Sequence, residues 1–224
     1  MLIYGMKLQF KTKYTETPGV HTFVFEPQSL VSWIAGQSIR LELPAGWGSE
    51  ERRFTISSAP FEKTIAITTR LSGSEFKQAL ANLNPGDQID AYAIEGDFTW
   101  PQTTRKKLFI AAGIGVTPFY AMLKQRRHDG RLLDAQLLIG SSRDTPFKTQ
   151  FQQWQTSSPE LSVRFYNFRI TGELVARVVP DFASHTIYIA GPNAMVDELG
   201  EALVNAGLPA RQLRRDWFTG NLAN

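Results

Sequence analysis

Apolar and polar residues alternate in short runs up to about Pro101, and after it the rhythm changes. Val20-His-Thr-Phe-Val-Phe, Ser38-Ile-Arg-Leu-Glu-Leu, Thr64-Ile-Ala-Ile-Thr-Thr and Gln88-Ile-Asp-Ala-Tyr repeat every second residue, the period of half-buried strands. Turn residues separate them at Pro18-Gly19, at Pro44-Ala-Gly-Trp-Gly48 and at Pro85-Gly86. This spacing predicts an antiparallel barrel or sandwich. Phe76, Leu80 and Leu83 recur at helical spacing and predict one short helix over Ser74–Leu83. Beyond Pro101 short apolar strands are predicted at Leu108–Ala112, Gln136–Gly140, Leu161–Tyr166 and Thr186–Ala190. Helical patterns run from Gly113 to about Arg127 and over Phe147–Trp154, Gly172–Val179 and Asn193–Ala206. Strands alternating with helices predict a parallel sheet covered on both faces. The polar stretch Trp100–Lys107 is the expected connector, dividing the chain into 1–101 and 102–224.

Composition narrows the chemistry. The chain has 224 residues, 42% of them apolar, enough for a folded core. Its net charge of +3 gives no case for nucleic acid or an anionic membrane as partner. With no cysteine, disulfides, thiolate metal sites and iron–sulfur clusters are excluded within this sequence. His21, His128 and His185 lack a metal-ligand spacing, so no metal is expected. The N-terminus does not read as a signal peptide, and Leu108–Leu123 is too short and broken to span a bilayer. A cytoplasmic, monomeric protein without membrane insertion is the expectation.

Four stretches carry candidate chemistry. Gly113-Ile-Gly-Val-Thr-Pro118 follows a strand and opens a helix, where glycines admit a close ligand and free N–H groups face a phosphate. A tight turn without a ligand is the equal alternative. Gly140-Ser-Ser-Arg143 follows the next strand, where a nucleotide ribose or 2′-phosphate would lie; a solvated loop arginine reads as well. Gly191-Pro192-Asn-Ala-Met195 would face a crevice at the carboxyl edge of the sheet, or simply start a helix. Arg52-Arg-Phe-Thr55 offers a phosphate clamp, a stacking plate and a hydroxyl, with Arg52 and Phe54 on one face and Arg53 and Thr55 on the other, but by itself reads more readily as an ordinary amphipathic strand.

In this order, and with Asp216-Trp-Phe218 near the end, these stretches resemble the ferredoxin–NADP⁺ reductase superfamily over about Met6 to Gly220. The resemblance implies an antiparallel six-stranded barrel that binds a flavin, FAD rather than FMN. It implies a following parallel-sheet α/β domain that binds NADPH or NADH. It places Arg52 on the flavin phosphates, Phe54 against the isoalloxazine and Thr55 near its N5, with Phe54 and Thr55 replacing the commoner tyrosine and serine. Arg70, Ser74 and Lys77 fall where the family lines the ribityl and pyrophosphate. Gly113, Gly115, Thr117 and Pro118 would cradle the pyridine nucleotide, with Gly191, Pro192 and Met195 nearby and Ser142 and Arg143 toward its adenosine.

Asp216 replaces a frequent glutamate and, with Thr55 and Phe218, makes the implied catalytic set. Ala190 stands where a cysteine is common, and Asn221 where a tyrosine is. The implied activity is hydride transfer from NAD(P)H to bound FAD, then electron transfer to a carrier such as ferredoxin or flavodoxin. Reduction of free flavin or ferric chelates is an alternative, and a regulatory flavin- or nucleotide-binding module that turns nothing over is another. Arg211, Arg214 and Arg215 read as a solvated edge, or as a docking face for an acidic carrier. Asp144 and Lys148 read as a loop and helix start, and the tryptophans as packing.

Overall fold

The computed structural model describes residues 5–43 and 51–218. The Pro44–Gly48 turn, Trp47 and Asn221 lie outside the described residues.

Strands β1 (Met6–Thr17), β2 (Val20–Pro27), β3 (Ser38–Glu42), β4 (Arg52–Thr55), β5 (Ile65–Arg70) and β6 (Gln88–Glu95) form an antiparallel sheet. Their order is β4-β3-β6-β1-β2-β5. Past the end of β4, Ile56 bridges to Ile67 of β5, and the Ser57 amide donates to the Ala66 carbonyl at 2.8 Å. The two edge strands thus meet, and the sheet curls into the expected barrel, closed at that one point. Leu8, Phe10, Phe23, Ile39 and Ile67, each on the inward side of its strand, are fully buried in its core. Helix α1 (Glu75–Ala81) caps the barrel with Phe76 and Leu80, and the predicted Ser74 becomes its N-cap residue.

The second half is a parallel sheet of β7 (Lys107–Ala112), β8 (Ala135–Gly140), β9 (Leu161–Tyr166), β10 (Thr186–Pro192) and β11 (Leu213–Phe218). Their order is β11-β10-β7-β8-β9. Helices α2 (Thr117–His128), α3 (Lys148–Ser157), α4 (Gly172–Val178) and α5 (Asn193–Asn205) cover it. Alternation serves two cores: Phe109 and Tyr188 pack on one face, Leu108, Ile110 and Ile189 on the other. Helix α3 begins one residue later than predicted, because Phe147 holds a left-handed φ of 61° as its N-cap. Strand β11 was not foreseen. Its charged residues hide the period of two, and two of them, Arg215 and Asp216, are paired with residues that lie elsewhere in the chain.

Several contacts among the described residues join the halves. Ala35 and Phe98, from the first half, enter the core of the second; the Phe98 ring lies 4.8 Å from Tyr188 and 5.6 Å from Phe119. Trp100 meets Phe109 edge-on, and the Arg126 guanidinium sits 4.1 Å over its ring. The connector predicted as polar is therefore anchored by Trp100, its one aromatic residue. On a second contact the 3₁₀ turn Pro60–Glu62 docks on α2: Phe61 stacks on His128 at 3.9 Å and Lys124 donates to Glu62 at 2.7 Å. Third, the end of β1 brings Glu16 toward Lys124 and the Phe147 backbone. No helix among the described residues is long and apolar enough to cross a membrane.

Candidate functional site

Strand β4 supplies one wall of a slot of about 130 Å³ between the two halves. Arg52, Arg53, Phe54 and Thr55 all line it, so the slot reaches both sides of β4 rather than the single face that alternation predicts. Phe54 is half-buried, with its ring 5.7 Å from Phe76 of α1. Opposite halves contribute the rest: Thr69 and Arg70 from β5, Lys77 from α1, Ile114 from the Gly113 turn, and Trp217 and Phe218 from β11. Thr68 also reaches the slot, but its hydroxyl is bonded to Thr22 and donates to Ser57, inside the barrel.

The polar end of the slot is cationic. Lys77 has its pKa lowered, first by burial and then by the charges of Arg52 and Arg70. Lys77 is thus half-buried beside like charges, a setting that a nearby anion would stabilise. Three residues before Lys77, at the helix N-cap, the Ser74 hydroxyl oxygen is buried and has no hydrogen-bond partner, though Ser74 does not line the slot.

Asp216 reaches this region from β11, where it lies beside Ala190 of β10. Its side chain is 12% exposed, and Arg53 Nη2 donates to its Oδ1 at 2.9 Å across the junction of the halves. Burial raises the Asp216 pKa, with Asp97 adding to it, against the lowering influence of Arg53. Arg53 was not among the predicted site residues. Its signal in the sequence was only its position between Arg52 and Phe54.

Arg70 also lines a second, larger cleft of about 820 Å³. Pro18 joins it from the barrel, while Ser142, Arg143, Lys148, Tyr166 and Phe168 line it from the carboxyl edge of the parallel sheet. Ser142 and Arg143 are exposed there. Lys148, expected to have no task, sits in this wall 5.4 Å over the Phe165 ring.

The Gly113 stretch divides by role. Gly113 has φ +54°, and nothing lies within 4 Å of where a side chain would begin, so its outer surface is open. Gly115 is buried; a Cβ there would stand 2.2 Å from the Ala190 carbonyl oxygen. Its glycine is required by close approach of the turn to β10. Thr117 is 1% exposed and donates its hydroxyl to the Ile114 carbonyl at 3.1 Å. Pro118 is buried in the first turn of α2, where a missing N–H costs nothing. Gly191 and Met195 are buried against each other and Ala112, while Pro192 is exposed. The structure therefore gathers Arg52, Phe54, Thr55, Arg70, Lys77 and Phe218 around one slot and Ser142 and Arg143 around the adjoining cleft. It places Gly115, Thr117, Pro118 and Met195 in the packing behind the turn.

Of the arginines read as a solvated edge, Arg211 and Arg214 are exposed, but Arg215 is not. Its guanidinium lies where a Gly200 side chain would be and is 3.9 Å from Asp197. Trp217, read as packing, is 42% exposed and donates to Asp197. Among the described residues no group of three or more His, Asp or Glu is placed to hold a metal ion.

No family model matches the chain. Over 233 residues and 95% of its length it is 27% identical to the stachydrine N-demethylase reductase subunit Stc4 of Rhizobium meliloti, of which it covers 66%. Over 110 residues, 48% of its length, it is 34% identical to ferredoxin–NADP reductase B of Sorangium cellulosum, covering 45% of that protein. The chain thus spans about half to two-thirds of these relatives. Its fold matches the flavohem-like FAD/NAD-binding domain of nitric oxide dioxygenase from Vibrio cholerae, with a TM-score of 0.82 at 21% identity over 96% of this chain and 98% of that one.

Proposed function

We propose that this chain, whose relatives and structural neighbours are ferredoxin–NADP⁺ reductase-like FAD/NAD-binding modules, is a FAD-dependent NAD(P)H oxidoreductase that hands electrons to a separate protein. The observation that carries it is the meeting of Phe54, Phe218 and a three-cation cluster in one interdomain slot at the carboxyl edge of a parallel sheet. Aromatic walls suit a planar ring, and Arg52, Arg70 and Lys77, with the unpartnered Ser74 hydroxyl, suit a pyrophosphate. Residues 1–101 would hold the flavin and 102–224 the pyridine nucleotide.

Within this reading Phe54 and Phe218 exclude water from the ring, and Thr55 offers a hydroxyl at its edge. The open face of Gly113 admits the nucleotide beside Ile114. Ser142, Arg143 and Lys148 hold its adenosine end, the two cations favouring a 2′-phosphate. Asp216 provides a carboxylate acceptor on the β11 side. When bound, the flavin supplies the electron acceptor for a hydride and can release the electrons singly. The protein's contribution is proximity and orientation of two rings.

An electron carrier such as a ferredoxin or flavodoxin is the acceptor we favour, in keeping with similarity to a reductase subunit and to a ferredoxin–NADP reductase. A cytoplasmic setting, where NADPH and NADH are abundant, fits this use. The test is anaerobic addition of NADPH or NADH to FAD-reconstituted protein. Bleaching of the flavin absorbance is expected with at least one of them; a wild-type preparation that retains no FAD, or whose FAD neither nucleotide bleaches, overturns the proposal.

A further inference from the structure

Among the described residues two ion pairs cross between the halves, and they differ in setting. Lys124 and Glu62 are about equally exposed, at 27% and 26% of the side chain. Arg53 and Asp216 are not matched: the guanidinium is 45% exposed and the carboxylate 12%. A carboxylate so far withdrawn from water stays ionised only with a cation close by. The charged groups facing it are few. Arg53 of β4 stabilises the ionised form and Asp97, after β6, opposes it. Its neighbour across the β10 ladder, Ala190, carries no charge. Two residues back on that ladder Tyr188 pairs with Arg214, and Arg214 acts on Tyr188. On the opposite side of β11, Arg215 and Trp217 are engaged with Asp197.

Position matters as much as charge. Arg53 lies between Arg52 and Phe54 in the wall of the slot, and Asp216 is two residues before Phe218 on the same side of β11. The pair therefore ties the strand carrying one aromatic wall to the strand carrying the other. Resting on the reductase reading above, we propose that Arg53 is a positioning residue. It holds Asp216 ionised and aimed along the rim of the slot, so that the carboxylate is ready to accept a hydrogen bond from the reduced nucleotide. Arg53 itself need not touch the ligand.

The test has two arms. In the ligand-free protein, carbon-13 labelling of aspartate carboxyls, with Asp216→Asn to assign the resonance, reads the titration of Asp216 directly. Arg53→Gln is expected to raise its midpoint by about one pH unit or more, and Arg53→Lys to restore most of the difference. An unchanged midpoint in Arg53→Gln overturns the proposal. In the FAD-reconstituted protein, the rate of bleaching by NADPH is followed against pH. The acid limb of the profile is expected to move with the carboxylate midpoint in Arg53→Gln, with return in Arg53→Lys. A midpoint that moves while the acid limb stays reduces Arg53 to a structural tie and also overturns the proposal. Failure of the reductase reading is separately visible, as wild-type protein that is not bleached. The positioning role then falls with it, while the carbon titration still decides the ionisation.

Discussion

At the scale of single residues, two glycines in one turn do different work, and substitution separates them. Gly115→Ala drives a methyl into the Ala190 carbonyl, at 2.2 Å, and the obstacle is backbone that cannot rotate away. We expect a loss on the order of 3 kcal/mol or more in urea unfolding. Gly113→Ala meets nothing and strains only φ, for about 1 kcal/mol, yet it narrows the surface offered to the nucleotide. The expected pattern is a stability defect in Gly115→Ala and a KM defect in Gly113→Ala; the reverse pattern would refute this division. Phe54 belongs to the same scale. Stacking of a planar ring on an aromatic is worth ~1–3 kcal/mol, so Phe54→Ala should retain FAD about five- to a hundredfold less tightly by equilibrium dialysis. Unaltered retention removes the residue from the flavin wall. These roles were partly legible beforehand. Arg52, Phe54 and Thr55 stand together in four residues, whereas Arg53 acquires its meaning from Asp216, 163 positions away, a distance no local pattern spans.

At the scale of elements, the strands and helices announced themselves where one face is buried and the other solvated. β2 and β9 come near to this kind, and their period of two survives in the sequence. Strand β11 is not: Arg214, Arg215 and Asp216 interrupt the alternation, and two of these charges are neutralised by Asp197 and Arg53 from other elements. The barrel's closure through Ile56 and Ile67 was equally hidden, since it is a single bridge.

The end of β1 shows how an element's placement shifts a titration. Glu16 is carried against the second half, where burial raises its pKa despite the Thr22 hydroxyl that donates to it at 2.8 Å and the charge of Lys124. A folded-state pKa above the unfolded value means that the protonated form is favoured by folding. Its contribution is full below the ordinary carboxylate pKa of about 4.3 and is lost as pH rises through the folded value. Glu16→Gln keeps an acceptor for Thr22 and removes the charge. It should melt higher than the wild type at neutral pH, with the gap closing as pH falls toward about 4. A gap that widens on acidification would contradict the assignment.

At the scale of the whole molecule, the functional surface exists only because the halves dock. Arg70 and Pro18 belong to the barrel, Arg143 and Lys148 to the parallel sheet, and the 820 Å³ cleft is the space between them. The change of rhythm near Pro101 revealed two unlike halves, but their mutual placement rests on Phe98, Trp100 and the Phe61–His128 stack, residues with no periodic signature. Arg143 gives this arrangement its sharpest test. It is exposed, and its backbone amide donates to the Ser141 hydroxyl at 3.2 Å, which fixes the loop while leaving the guanidinium at the cleft. If a 2′-phosphate enters there, the charge-assisted bond is worth ~1.5–3 kcal/mol. Arg143→Ala should then lower kcat/KM for NADPH relative to NADH by about ten- to a hundredfold. Because the loop is held by backbone, its melting temperature should match the wild type. An unchanged ratio of the two nucleotides would place the adenosine end elsewhere along the cleft, with Lys148 the next residue to substitute.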